Sequence, residues 1–368
     1  KLMYLRMEQP EIFTSTWKFM LIGDFIVYRL SGKAVTDYSA ASRTMAFNIL
    51  NKCFDNEILS AVGLDVSRMG EVLPCGTIVG NVAPAVARQL GFSLKTRVIL
   101  GGHDTIPENL CSGLLKQGIA VAGCGTFEAI SVLYPEVSGC NKKYLNNNIS
   151  REPYIIKGYE LISGLNPNAG SLVKWYRNEF GQKEISEAAR TGGSAYRLLD
   201  GLVPEKPTDL LVIPHFVGSG TPDFNTKARG TISGLTLSST REQIYRAFLE
   251  SAGYESAYII KKFLDCGIKI SEIRATSGGA KSSIWMQIRA DILGLPIIPM
   301  LTTDTSLSGC AAIAGLACGI YKDIEEAVKF YIKIGEPVIP NKENHLYYQE
   351  MYERYCKLRK ITLRFWNS

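Results

Sequence analysis

The chain is poor in histidine, with three among its 368 residues, and its nine cysteines include no CxxC pair. Zinc sites draw on such pairs and on closely spaced histidines, so no zinc centre is expected. Cys53, Cys75, Cys111, Cys124, Cys140, Cys266, Cys310, Cys318 and Cys356 are odd in number and widely spaced. That pattern fits a reducing cytoplasm and not a disulfide framework. Cys310 and Cys318 lie in small-residue runs and read as buried small hydrophobes. No apolar run reaches the ~20 residues a membrane span needs, and no signal peptide opens the chain. The net charge of +6 arises from 41 basic and 35 acidic residues scattered together. Without a dense basic stripe interleaved with aromatics, nucleic acid is not an expected partner. Two nucleotide signatures are also missing. No stretch fits the P-loop pattern GxxxxGK[ST], and no GxGxxG joins a strand to a helix with an acidic residue at the right distance, which disfavours P-loop and Rossmann enzymes.

Hydrophobic residues make up 46% and charged residues 21%, as in an ordinary globular protein, and the length suggests about two domains. Trp17, Met20, Leu21, Phe25 and Tyr28 recur at helical steps up to Gly32. Residues 54 to 92 read as two short helices around an extended "PCGTIVG", the second ending at Gly91. Arg97 to Leu100 is a short strand and Thr105 to Leu115 a helix. "GIAVAGCGTFEAISVLY" reads as a hairpin around Cys124–Gly125. Residues 135 to 160 are polar and loop-rich, and helices follow near 168–180 and 184–191. "LLVIPHFVGSGTP" runs from strand into loop. Thr240 and Gln243 form a capping box opening a helix to about 265. "EIRATSGGA" is strand into turn, 282–294 is helical, "PIIPM" is a strand, and Ser306 to Gly319 is a helix. This alternation predicts an α/β layered fold, with a domain boundary near residues 93–100.

Four glycine turns stand out: Gly101–Gly102, Gly123–Gly125, Gly218–Gly220 and Gly278–Gly279. Glycine lets backbone N–H groups approach an anion, although it is also the usual turn residue. At "GCGTF" the hairpin tip and the Thr126 hydroxyl could hold phosphate oxygens, or Thr126 could serve only β propensity. In "SGGAKSSIW" the bare Gly278–Gly279 backbone could take a flat ring, while Lys281 reads equally as a surface charge or a phosphate contact. "NAGSLVKWY" sets Gly170 and Lys174 one turn apart on a helix. Trp175 and Trp285 read as core or interface residues and not as ligand platforms. In "GGHDTIPENL" Asp104 has two readings. It is a good N-cap, with Pro107 in the first turn. It is also a carboxylate at a strand end, where open α/β sheets bind ligands and where a base could deprotonate a hydroxyl.

Taken in order, "TDYSAASRTMAFNI", "GGHD", "GCGTF", "NAGSLVKWY", "GSGTPDFNTKARGTISGL" and "SGGAKSSIWMQIRADILGLPI" resemble the FGGY carbohydrate kinases over about residues 1–330. The resemblance implies an actin-like (ribonuclease H-like) two-domain ATPase fold with an interdomain cleft. Residues 1–96 would be the remainder of a sugar-binding domain and 97–368 the ATP-binding domain. It implies ATP-dependent phosphorylation of a sugar or polyol with Mg²⁺, Asp104 as catalytic base, and His103 and Thr105 as acceptor contacts. Gly125 and Thr126 would bind phosphate. Gly170 and Lys174 would contact the nucleotide, as would Gly278, Gly279, Ala280 and a serine at Ser282 or Ser283. A homodimer is a candidate assembly. Three departures stand out. "GSGTP" replaces the charged pair of the family's GERTP with Ser219 and Gly220. "GTF" replaces the commoner GTS. The family's opening phosphate hairpin, with its Mg²⁺-binding acid and several sugar contacts, has no counterpart, so the chain is expected to be a fragment, inactive alone, with the metal ligands unidentified. The rival readings are a non-catalytic sugar- or nucleotide-binding protein on the same fold and an unrelated actin-fold ATPase switch.

Overall fold

A computed structural model of the chain describes residues 1–137 and 142–367; Cys140 and part of the polar 135–160 stretch lie outside them. Residues before 101 build two small apolar clusters. One gathers Phe13, Phe54, Leu59 and Met69, and the other Val35, Val79, Val98 and Leu100. The helix expected from Trp17 begins only at Ile22 and ends at Ser31, with Gly32 in the left-handed region as its cap. The residues before it are drawn out of helical form: the Phe19 N–H donates to the Arg68 carbonyl at 2.9 Å, and Lys18 Nζ reaches the Ser67 and Met69 carbonyls.

From residue 105 the helices of the described chain include α1 (Thr105–Cys111), α2 (Gly170–Phe180), α3 (Gln182–Thr191), α4 (Ala195–Asp200), α5 (Arg241–Asp265), α6 (Ser283–Leu293), α7 (Thr305–Ala317) and α8 (Lys342–Asn367). Its main sheet has strands β1 (Gly118–Cys124), β2 (Glu128–Pro135), β3 (Ser150–Pro153), β4 (Tyr159–Asn166), β5 (Ile270–Thr276) and β6 (Ile297–Pro299), in the order β6-β5-β1-β2-β4-β3. β5 runs parallel to both β6 and β1. The β1–β2, β2–β4 and β4–β3 pairs are antiparallel.

Strand alternation divides the apolar residues between the two faces. Ala120, Ala122, Ile130, Val132 and Ile162 pack with Phe248, Ile259 and Phe263 of α5 and Ile288 of α6. Ile119, Val121, Leu133 and Leu161 pack with Ile106 of α1 and with Leu114. The sheet is thus covered on both faces, as the α/β reading requires. The capping box at Thr240 is present at the start of α5. One expectation needs correction: Cys310 and Cys318 are exposed. α7 buries Gly309, Ala312 and Ile313, a stripe at three- and four-residue steps, and the two cysteines lie off that stripe. The eight described cysteines are all free, and no described helix is long and apolar enough to cross a membrane.

Candidate active site

β1 and β5 are parallel neighbours, and their C-terminal ends, Cys124 and Thr276, open into two glycine turns. The turns form one wall of a cavity of about 760 Å³ lined by Gly125, Thr126, Gly278, Gly279 and Lys281. Gly170, Ser171 and Lys174 of α2 contribute a second wall, and Tyr245, Leu249, Ser282 and Trp285 a third. Three of the sequence-derived motifs therefore converge on one site.

Close backbone approach explains two of the glycines. The Gly170 N–H donates to the Gly125 carbonyl at 2.9 Å and the Ser171 N–H to the Thr126 carbonyl at 3.1 Å. A Cβ on Gly170 would stand 2.5 Å from the Gly125 oxygen. The first donors of α2 thus hold the hairpin instead of an anion. The Gly125 N–H is also engaged, by the Gly123 carbonyl at 2.9 Å. The polar groups of this wall that remain for an anion include the exposed Thr126 and the Lys174 ammonium. A Cβ on Gly279 would meet the Trp285 ring at 2.6 Å and the Cys124 carbonyl at 2.8 Å, whereas one on Gly278 would meet nothing within 4 Å. Between these turns, Ser277 holds a φ of +68°, a backbone region that costs a non-glycine residue about 1–3 kcal/mol.

Trp285 is core and wall at once: it is 3% exposed and its indole N–H donates to the Leu249 carbonyl, yet it borders the cavity. Trp175 packs among Phe180, Phe216 and Phe248. Ser282 lines the cavity and caps α6; Ala280 and Ser283 stand outside the lining. The Gly218–Gly220 loop is also outside it. It braces the turn before α2, with Asn168 Nδ2 donating to the Gly218 carbonyl and Asn168 Oδ1 accepting from the Val217 N–H. Glu128, directly after the hairpin tip, is fully buried and pairs with Arg289 of α6 while accepting from the Ser256 hydroxyl, which fixes the hairpin to the helical layer.

Sequence reasoning missed the far wall, formed by Gly192, Gly193, Ser194, Tyr196, Arg197 and Asp200. "TGGS" is a glycine turn like the others, but it joins two helices, and the search favoured turns at strand ends.

Asp104 precedes α1 in helical conformation and makes no side-chain cap bond. Its carboxylate is 75% exposed and lies 2.8 Å from His103 Nδ1. The hydrogen bond from His103 holds the carboxyl below its ordinary value, with the Arg43 charge adding to the effect. Buried Ser39 accepts the His103 N–H at 2.8 Å and donates to Asp37, so the loop bearing Asp104 is tied to the "TDYS" segment. Arg43 adds a second tie, reaching Glu152 at 2.6 Å and the Thr105 hydroxyl at 3.4 Å. One turn into α1, Glu108 accepts from the Thr276 hydroxyl at 2.8 Å, and burial raises its carboxyl above the ordinary value. A Cβ on Gly123 would lie 3.5 Å from Glu108. The helix headed by Asp104 therefore abuts the strand ends that open into the cavity.

Residues 1–111 match the N-terminal domain of the FGGY family of carbohydrate kinases, and residues 132–318 match its C-terminal domain. The chain belongs to the FGGY family. The xylulose kinase of Bacillus subtilis (strain 168) is 25% identical over 365 residues, covering 98% of this chain and 70% of the relative. The autoinducer-2 kinase of Klebsiella pneumoniae subsp. pneumoniae is 28% identical over 363 residues, covering 96% and 67%. Among solved FGGY structures, a xylulose kinase from Rhodospirillum rubrum superposes with a TM-score of 0.88 at 22% identity, over all of this chain and 72% of its own. A Plasmodium falciparum glycerol kinase with ADP gives 0.84 at 19% identity, over 98% and 71%. These likenesses establish the sugar-kinase fold with its actin-like, two-domain architecture.

Proposed function

We propose that the protein transfers the γ-phosphoryl group of ATP to a hydroxyl of a sugar or polyol, in a reducing cytoplasm, with Asp104 as the base. The observation that carries the reading is the contact of the Asp104 helix with the ends of β1 and β5, where the glycine-walled cavity opens. The family membership supports it, and so does the exposed carboxylate that caps nothing. The bare Gly278 backbone and the Trp285 edge suit a flat base, and Thr126 and Lys174 suit phosphate oxygens.

In this mechanism the acceptor hydroxyl gives its proton to Asp104 as its oxygen attacks the γ-phosphorus, and ADP departs. His103 keeps Asp104 ionised and oriented by their hydrogen bond, and His103 and Thr105 are the adjacent acceptor contacts. Among the described residues no group of three or more His, Cys, Asp or Glu is arranged to hold a metal. A magnesium ion carried on the triphosphate takes a shell of phosphate oxygens, water and one or two carboxylates. Glu108, bonded to the Thr276 hydroxyl at the end of β5, and Asp104 at the head of the same helix are the carboxylates that would hold it. Magnesium would supply neutralisation of phosphate charge.

The test is ADP release across a panel of sugars and polyols, measured on the protein at its full natural length. Asp104→Asn preserves shape and removes the proton acceptor. Turnover is expected to fall by about a hundredfold or more, with ATP affinity and melting temperature near those of the parent. A stable variant with near-parental turnover would remove Asp104 from the mechanism.

A further inference from the structure

Asp200 ends α4 and lies on the cavity wall that sequence reasoning missed. The Tyr245 hydroxyl donates to its Oδ1 at 3.0 Å, and the Ser282 hydroxyl also hydrogen-bonds its carboxyl. Both donors line the cavity themselves, next to Leu249 and Trp285. The carboxyl is thus held in one orientation beside the most apolar wall of a site that otherwise offers Lys174, Lys281, Arg197 and hydroxyls. A carboxylate in a cavity built for a triphosphate repels that ligand unless the group facing it is a hydrogen-bond donor. On a nucleoside triphosphate the donors are the exocyclic amine of the base and the ribose hydroxyls. The surrounding ring and aliphatic faces of Trp285, Tyr245 and Leu249 suit the base.

We propose that Asp200 is the nucleobase-specificity residue, accepting a hydrogen bond from the 6-amino group of adenine and rejecting purines that carry a 6-oxo group. The assignment rests on the nucleotide reading of this cavity. A 6-oxo purine would set its oxygen against the carboxylate, leaving two acceptors face to face without a proton between them. Tyr245 and Ser282 act here as positioning residues for Asp200, and the Tyr245 ring also borders the space for the base.

Calorimetric titration of the protein with ATP, ITP and 2′-deoxyATP tests the proposal, since ITP carries a 6-oxo group and an N1–H where ATP carries a 6-amino group and an unprotonated N1. The parent is expected to bind ATP at least about tenfold more tightly than ITP, and 2′-deoxyATP as tightly as ATP. Asp200→Asn offers an amide that serves either partner, so the ATP:ITP ratio should fall to within about threefold, chiefly through tighter ITP binding. Should Asp200→Asn fail to fold, Tyr245→Phe frees the carboxyl without changing its charge and should narrow the same ratio. Equal binding of ATP and ITP by the parent, or an unchanged ratio in a folded Asp200→Asn, overturns the role of Asp200 alone. Weak binding of 2′-deoxyATP by the parent would assign the carboxylate to the ribose and overturn it too. A parent that binds none of the three overturns the nucleotide reading, and this assignment with it.

Discussion

Adding one methyl group at Gly278 or at Gly279 separates ligand binding from packing. The two glycines are neighbours in one turn, yet their surroundings differ. At Gly278 a Cβ would enter open space, with no atom within 4 Å, and the residue does not hold a positive φ between +20° and +160°. Gly278→Ala should therefore leave folding within about 0.5 kcal/mol of the parent, as for a substitution away from packed features. The new methyl would occupy cavity space against which a nucleotide base would lie. Inserting a methylene-sized group into a filled contact typically costs about 1–3 kcal/mol, which corresponds to a loss of affinity of about 5- to 150-fold. At Gly279 the same methyl would stand 2.6 Å from the Trp285 ring and 2.8 Å from the Cys124 carbonyl. Neither can retreat easily, since Trp285 is buried and bonded to Leu249, and the carbonyl ends a sheet strand. Gly279→Ala should lose at least about 1–3 kcal/mol of stability. Thermal melting and calorimetric titration with ATP, run on both variants, give the comparison. Parental ATP affinity in a folded Gly278→Ala would show that the nucleotide does not use this turn. A destabilised Gly278→Ala would show that the open space beside it is misdescribed.

Ser39→Ala should lower turnover while leaving ATP affinity unchanged, because it unties the His103 backbone from Asp37. An unsatisfied buried donor costs about 1–3 kcal/mol, and steady-state kinetics with a melting curve check both effects. Glu152 supplies a pH test. Burial raises its carboxyl from 4.5 to about 7, against the opposing pull of Arg43, and its Oε2 has no partner. A raised acid makes folding take up protons, so stability is greatest below pH 4.5 and declines as pH rises towards 7. The parent should lose about 3 kcal/mol relative to Glu152→Gln across that window. Denaturant unfolding of both proteins at pH 5 and pH 8 gives the comparison, and parallel pH profiles would refute it.

The site was legible where sterics write themselves into the sequence. Gly170 and Gly279 admit no side chain for reasons of backbone contact, and the hairpin's two β-rich arms announced β1 and β2. Sequence alone could not separate Gly279, which packs, from Gly278, which faces open space, because that distinction lies in what a distant tryptophan does. Asp200 and Tyr245 were illegible for a related reason: a helix end and a position early in α5 carry no turn signature, and only folding brings them together. The cap reading of Asp104 rested on residue type, whereas its backbone is already helical and its side chain turns to His103. Beyond the glycine motifs, α8 went unread. Its buried stripe of Tyr348, Met351, Tyr355, Arg359 and Thr362 mixes aromatic and charged residues, and Arg359 is buried only because Glu255 and Asp223 meet it from elsewhere in the chain.

The pairing of the Gly170 and Ser171 donors with the hairpin carbonyls bears on how this enzyme could be recombined with its relatives. Helix α2 and the β1–β2 hairpin share backbone bonds and leave no room for a side chain at position 170. A chimera exchanging one without the other would have to rebuild that seam from two different backbones. Residues 118–135 and 170–180 are better regarded as a single cassette, with a crossover point placed outside both.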